Sequence, residues 1–369
     1  MGREQTSRAS AARSQGHHPA SSRQDGPLAA LDLGTNNCRL LVVEPDGEGF
    51  RVKDAFSRAV RLGEGVLASN LLSPAAQDRA IKALRICAGK IRQHRVSEAR
   101  LIATEACRRA GNGRAFARRV QRETGLTLDI ISAEDEARLA VAGCAPLVDP
   151  QAEQLLVFDI GGGSTELIWV DMSHTPSARR QALIRALAPM GEEDPTARAA
   201  AAHVSDWISL PLGVSTLHDR FAEIEGDAVR FEQMAAFVVE KLSPFDPFAR
   251  RDPEGMMDRL QIIGVSGTAT TFGALHLGLT SYDRSRVDGL WLGAPDAAKI
   301  SARLIGMDGG SRARHPGIGS SRSELIISGA AILMTILRLW PTPRLRIADR
   351  GLREGLLYGL LHKRRGGEA

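Results

Sequence analysis

Residues 155–170 read LLVFDIGGGSTELIWV, and residues 28–43 read LAALDLGTNNCRLLVV. Each is an apolar run that ends on an aspartate, then a turn of small and polar residues, then a second apolar run. That is the pattern of two strands joined by a tight connection. The local match is Asp32-Leu33-Gly34-Thr35 against Asp159-Ile160-Gly161-Gly162. No unit recurs at a period of about 20–50 residues, so half of a fold is duplicated and a solenoid is excluded. Working outward, Ser73-Pro74 gives an N-cap with proline at the first helical position, and Ile81, Leu84, Ala88 and Ile91 recur at helical spacing. Short strands at 101–104 and 128–132 flank a basic helix at about 113–124, which makes an α/β layer. Further on, a strand is expected at Ile262, and helices at about 294–305, 326–339 and 352–362.

Two such turns suit a phosphate held between two lobes. Gly34 and Gly161 to Gly163 permit positive φ and close backbone approach, while Thr35, Ser164 and Thr165 offer hydroxyl donors to phosphate oxygens. Asp32 and Asp159 would hold a hydrated Mg²⁺, which takes few protein ligands when phosphates complete its shell. A third glycine-rich turn, containing Ser266, Gly267 and Thr268, precedes a segment able to start a helix, whose N-terminus attracts anions. Ser132 caps another helix that opens with Glu134, Asp135 and Glu136. A carboxylate there could deprotonate water, but helix-dipole stabilisation accounts for all three acids and spacing does not choose among them. From Arg85 to Arg122 there are eleven Lys or Arg residues against only Glu98 and Glu105, and Arg108, just past a strand end, is the one singled out for an anion. Arg353 sits similarly in a turn that enters a helix.

The totals agree with an anionic substrate. The chain has 369 residues, a formal charge of +5 and a pI near 9.3, enough for two sizeable cores. With two Tyr and four Trp there is no stacking platform for nucleic acid. Four cysteines without a CxxC pair suggest neither zinc nor a disulfide framework, and nine histidines form no HExxH or HxH ligand pair. No Walker P-loop, GxSxG elbow or dinucleotide fingerprint is present. The longest apolar stretch, Leu325 to Trp340, falls short of the roughly 18 residues of a membrane span and contains Arg338. A cytoplasmic setting is the expectation, with no membrane or nucleic-acid partner.

Taken together, ALDLGTNNCRLLV, ATEACRRA, IISAEDEARLA, VFDIGGGSTELIWV, SLPLGVSTLHDRF, IIGVSGTATTFGAL and DRGLREGLLYG, in this order from about Leu28 to Leu361, resemble the bacterial exopolyphosphatase and guanosine pentaphosphate phosphohydrolase (Ppx/GppA) family. The resemblance implies a two-lobed actin-like ATPase (ribonuclease H-like) α/β fold with duplicated domains. It implies that Glu136 activates water and that Asp159 and Glu166 are the acids near Mg²⁺. It makes Gly161 to Thr165 the main phosphate loop, Asp32 to Asn37 with Asn36 the opposing loop, Arg108 and Arg353 phosphate-contacting cations, and Ser266 to Thr268 a third loop.

Asn37 stands where that family often has Ser. The segment after Val170 is longer than usual, and the end soon after Arg353 resembles short forms without helical HD-like C-terminal domains. The expected organisation is a disordered basic tail at 1–26, an N-terminal lobe at 27–139, a C-terminal lobe at 140–365 with a surface insertion at about 174–202, and a tail at 366–369. The expected activity is Mg²⁺-dependent release of terminal phosphate from inorganic polyphosphate or guanosine pentaphosphate, with a homodimer implied by the resemblance. A nucleotide-using kinase or ATPase of the same fold and a non-catalytic polyphosphate or guanosine-polyphosphate sensor are the alternatives.

Overall fold

The computed structural model describes residues 26–47, 49–188, 195–247, 259–319 and 322–366. The expected N-terminal tail, except Gly26, lies outside the described residues, as do 189–194 of the expected insertion and the last three residues of the chain.

Apolar alternation and turn chemistry produce two sheets. The first contains β1 (Leu28–Leu33), β2 (Asn37–Asp46), β3 (Gly49–Ala59), β4 (Glu98–Ala103) and β5 (Asp129–Ile130) in the order β3-β2-β1-β4-β5. The second contains β6 (Gln154–Ile160), β7 (Thr165–Asp171), β8 (Val204–Leu210), β9 (Leu260–Val265), β10 (Trp291–Gly293) and β11 (Arg344–Ala348) in the order β8-β7-β6-β9-β11-β10. In each, three antiparallel strands run on into parallel ones, β1 beside β4 and β6 beside β9. Except for the added edge strand β10, the second sheet repeats the strand order of the first. This is the duplicated, two-lobed actin-like architecture.

Strand alternation sends side chains to three cores. Ala29, Leu31, Leu40 and Val42 pack outward against the helix Pro74–Gln93, whose cap is Ser73 accepting from the Ala76 amide at 3.2 Å. Leu156, Phe158, Leu167 and Trp169 pack outward in the second sheet. The opposite faces, Leu28, Ala30, Leu41 and Val43 with Leu155, Val157, Ile168 and Val170, share one middle core with the helices Ala133–Gly143 and Leu352–Gly366. The Arg180–Ala186 helix, within the expected insertion, adds Ile184 to this core.

The two middle helices meet backbone to backbone. A Cβ on Gly143 would stand 1.9 Å from the Gly351 carbonyl oxygen, and one on Gly355 would stand 2.1 Å from that of Leu139. The C-terminal helix then reaches the first sheet, where Lys363 pairs with Glu98 at 2.8 Å and Arg364 donates to the Gly26 carbonyl at 3.0 Å. Cys38, Cys87, Cys107 and Cys144 are all free and buried. Among the described residues, no helix is long and apolar enough to cross a membrane.

Candidate active site

The alternation that builds the middle core also delivers the site. Asp32 follows Leu28 and Ala30 on the middle face of β1, and Arg39, directly opposite it on β2, shares the face of Leu41 and Val43. In β6 and β7 the equivalent pair is Asp159 opposite Glu166, on the face of Leu155, Val157, Ile168 and Val170. Four ionisable side chains thus rise from two hairpins on the side where the sheets face each other.

The turns touch. Asn36 Nδ2 donates to Ser215 Oγ at 2.9 Å, crossing from the first hairpin to the helix Val214–Arg220. A Cβ on Gly162 would lie 2.5 Å from Asn36 Nδ2, and one on Gly163 would lie 2.9 Å from Thr35 Oγ1. These glycines are there for close approach. The expected positive φ is absent at Gly34 and at Gly161 to Gly163, since the mutual packing of the turns sets their conformation. The Gly161 and Gly162 carbonyls accept from the amides of Val214 and Ser215 at 2.9 Å each. With its carbonyls held back in this way, the turn leaves the amides of Gly162, Gly163 and Ser164 without an acceptor among the described residues. Successive free amides form a nest for an anion.

The expected hydroxyl donors separate. Thr165 Oγ1 donates to the Leu212 carbonyl at 2.6 Å and is buried, so it fixes the loop. Ser164 bonds the Glu166 carboxylate, which also accepts from Ser209 Oγ at 3.0 Å. In the first turn the Gly34 amide donates to the Asn37 carbonyl at 2.9 Å, which leaves Thr35 and Asn36 at the tip. In the third turn Ser266 has φ 78°, a strained value for a residue with a side chain, and its Oγ donates to the Ile160 carbonyl at 2.6 Å. Gly267 lies beside Arg322, whereas Thr268 is buried with its hydroxyl against Gly329.

The three acids left open by the sequence are sorted by their partners. Glu134 pairs with Arg138 on the same helix. Asp135 takes the cap, its amide donating to Ser132 Oγ at 3.0 Å and its carboxylate accepting from that hydroxyl at 2.9 Å. Glu136 turns to Arg108, with Oε2 at 3.1 and 3.0 Å from Nη1 and Nη2. Burial, then Glu166, holds the proton affinity of Glu136 well above the usual carboxylate range, against the pull of Arg108. Arg108 also bonds Glu105 and the Ile131 carbonyl, so every N–H of its guanidinium is engaged.

The other acids share the same strain. Burial raises Asp159 to about 6, with Asp32 adding to the shift and Arg39 opposing it. Burial, then Asp159, raises Glu166 to about 7, and burial likewise raises Asp32 against Arg39 and Arg353. The guanidinium groups of Arg39 and Arg353 donate no hydrogen bond among the described residues, and that of Arg322 donates one, to Thr271 Oγ1 at 2.9 Å. Glu354, the neighbour of Arg353, accepts from the Gly351 amide at 3.0 Å and from Arg284 at 2.7 Å, and its charge favours that of Arg353. Sequence reasoning missed Arg39 and Arg322. Arg39 had a signal, because it follows Asp32 at the spacing by which Glu166 follows Asp159. Arg322, within a polar turn, had none.

Comparison with known proteins bears on the family and the fold. Residues 42–364 match the family model described as the Ppx/GppA phosphatase family. The chain is similar to the Aquifex aeolicus member of that family at 25% identity, covering 92% of this chain and 98% of that one with a TM-score of 0.72. An exopolyphosphatase-like protein is 26% identical over 92% of this chain and 99% of that one, with a TM-score of 0.75. An exopolyphosphatase from Cytophaga hutchinsonii, 21% identical over 91% and 98% of the two chains, shares the fold with a TM-score of 0.75. A family match from residue 42 to residue 364, which runs from within β2 to the C-terminal helix and takes in the whole second sheet, makes this chain a member of the Ppx/GppA phosphatase family.

Proposed function

We propose that this chain releases the terminal phosphate of inorganic polyphosphate or guanosine pentaphosphate by in-line attack of water. The observation that carries the reading is an amide nest, Gly162 to Ser164, whose Ser164 bonds Glu166, together with a shielded carboxylate, Glu136, whose proton affinity burial and that same Glu166 raise. The nest, the tip residues Thr35 and Asn36, and the undonated Arg39 and Arg353 bind phosphate oxygens. Glu136 accepts the proton of the attacking water, and its high proton affinity makes it a stronger base than an ordinary carboxylate. Arg39, Arg322 and Arg353 take up the charge that develops on the phosphate and leaving-group oxygens. The likeness to an exopolyphosphatase-like protein supports polyphosphate as substrate.

Asp159 and Glu166 fit Mg²⁺, because burial and the repulsion between them leave the pair short of a counter-charge, and Asp32, which adds to the shift of Asp159, would be the third acid beside the ion. Among the described residues no three acids, histidines or cysteines close on one point, so the fit is to a hydrated ion with one or two direct carboxylates. When bound, the ion supplies charge neutralisation and orientation to the reacting phosphoryl group.

The test is phosphate release from long polyphosphate, short polyphosphate, guanosine pentaphosphate and ATP, with Mg²⁺ or chelator, for wild type and Glu136→Gln. Removing the base is expected to cost about a thousandfold in turnover with polyphosphate binding retained. Near wild-type turnover by the variant would remove Glu136 from the reaction, and wild-type binding without release would leave a sensor.

A further inference from the structure

Beside the proposed base lies a carboxylate to which the mechanism above gives no task. Glu105 opens the short helix Glu105–Arg109, immediately after β4. Its Oε2 accepts from Arg108 Nε at 3.2 Å and Nη2 at 2.8 Å. The other edge of the same guanidinium meets Glu136 at 3.1 and 3.0 Å, and Nη1 also meets the Ile131 carbonyl at 2.9 Å. The side chains of Glu105, Arg108 and Glu136 are 16%, 22% and 14% exposed, so this is a shielded chain of ion pairs and not a solvated surface contact. A guanidinium is planar, with a fixed fork of donors. Fixing one edge therefore fixes where the other points.

We infer that Glu105 is a positioning residue, anchoring Arg108 by its far edge so that the near edge holds the Glu136 carboxylate in line with the attacking water. Among the described residues Glu105 makes no hydrogen bond to the turns or to Glu136, and acts through Arg108. The bland alternative is an acid in the first turn of a helix with a same-helix arginine partner, whose loss weakens local structure alone. The two accounts differ in turnover. With Glu105→Gln, a near-isosteric change, one edge of the guanidinium loses its charged partner while the volume stays.

The inference rests on the hydrolytic reading, and a double-mutant cycle on polyphosphate hydrolysis separates the two. Wild type, Glu105→Gln, Arg108→Gln and the double variant are compared for kcat, KM and thermal unfolding. Glu105→Gln is expected to lower kcat about tenfold with KM within about twofold of wild type and an unchanged melting temperature. In the Arg108→Gln background the same change is expected to cost less than about twofold, because the residue it acts through has gone. An unaltered kcat, a loss confined to KM or to stability, or an equal tenfold loss without Arg108 overturns the role of Glu105 while the hydrolytic reading stands. Absence of wild-type turnover overturns both.

Discussion

The hairpins β1–β2 and β6–β7 have one frame and opposite charge balance. In the first, Asp32 faces Arg39 across the strands; in the second, Asp159 faces Glu166. The first half supplies its own counter-charge. The second sets two acids together, and burial pushes them up to about 6 and about 7. One cross-strand position thus separates the halves: the carboxylate of the first has a cation opposite it, and the acid pair of the second calls for a cation beside its own amide nest.

The strongest way to break this contrast is to make the second hairpin a copy of the first. Glu166→Arg is expected to lower phosphate release by about a thousandfold or more and to abolish its response to Mg²⁺, measured in a metal titration. Activity within tenfold of wild type would show that the acid pair is not what separates the halves. Removing the compensation from the first half is milder. Arg39→Gln should lower kcat/KM by about 10–100-fold, with a larger share in KM, as steady-state kinetics on short polyphosphate would show.

The turns also differ in tolerance of bulk. A Cβ on Gly34 meets nothing nearer than 3.6 Å, whereas one on Gly213, which backs the second turn, falls 2.5 Å from the Gly161 carbonyl oxygen. Gly213→Ala should therefore cost about 1–3 kcal/mol by denaturant unfolding, and Gly34→Ala should fold as wild type does. The smallest effect is in the pH dependence of the metal-free protein. Asp159 and Glu166 bind protons more tightly folded than unfolded, so their stabilising contribution is present in acid and lost as pH rises through about 6 and 7. In chelator, the melting temperature should fall between pH 5 and 8, less steeply in Glu166→Gln than in wild type. An equal slope in the two proteins would remove Glu166 as its source.

The hairpins were legible as continuous apolar runs, because β1, β6 and β7 are buried almost throughout, and the long helices by their apolar spacing or by caps such as Ser73-Pro74. β3 and β8 were not. Both are edge strands, no residue of β3 is buried and only Leu210 of β8 is, so neither leaves an apolar alternation to read. The loops of the candidate site were legible as glycine strings, yet the reason for those glycines lay across the cleft, in Thr35 and Asn36. Distance also hid the sorting of the three acids, since Glu134 and Asp135 find local partners in Arg138 and Ser132 but Glu136 is singled out by the far-off Arg108. Arg108, expected to contact phosphate, has its donors engaged within the protein, and the guanidinium of Arg39, unremarked in the sequence, does not.

The glycine crossing of the two middle helices has a practical side for anyone trying to harden this protein against heat. Replacing a glycine inside a helix by alanine is a standard stabilising move, gaining about 0.4–1 kcal/mol where the native backbone accepts it. Gly143 and Gly355 would head such a shortlist on helix position alone. Each methyl group would land on a main-chain oxygen about 2 Å away, on a partner that has no rotamer to yield. A mutant library built on propensity scores would lose its best-ranked members here, and the survivors would mark where the helices can part.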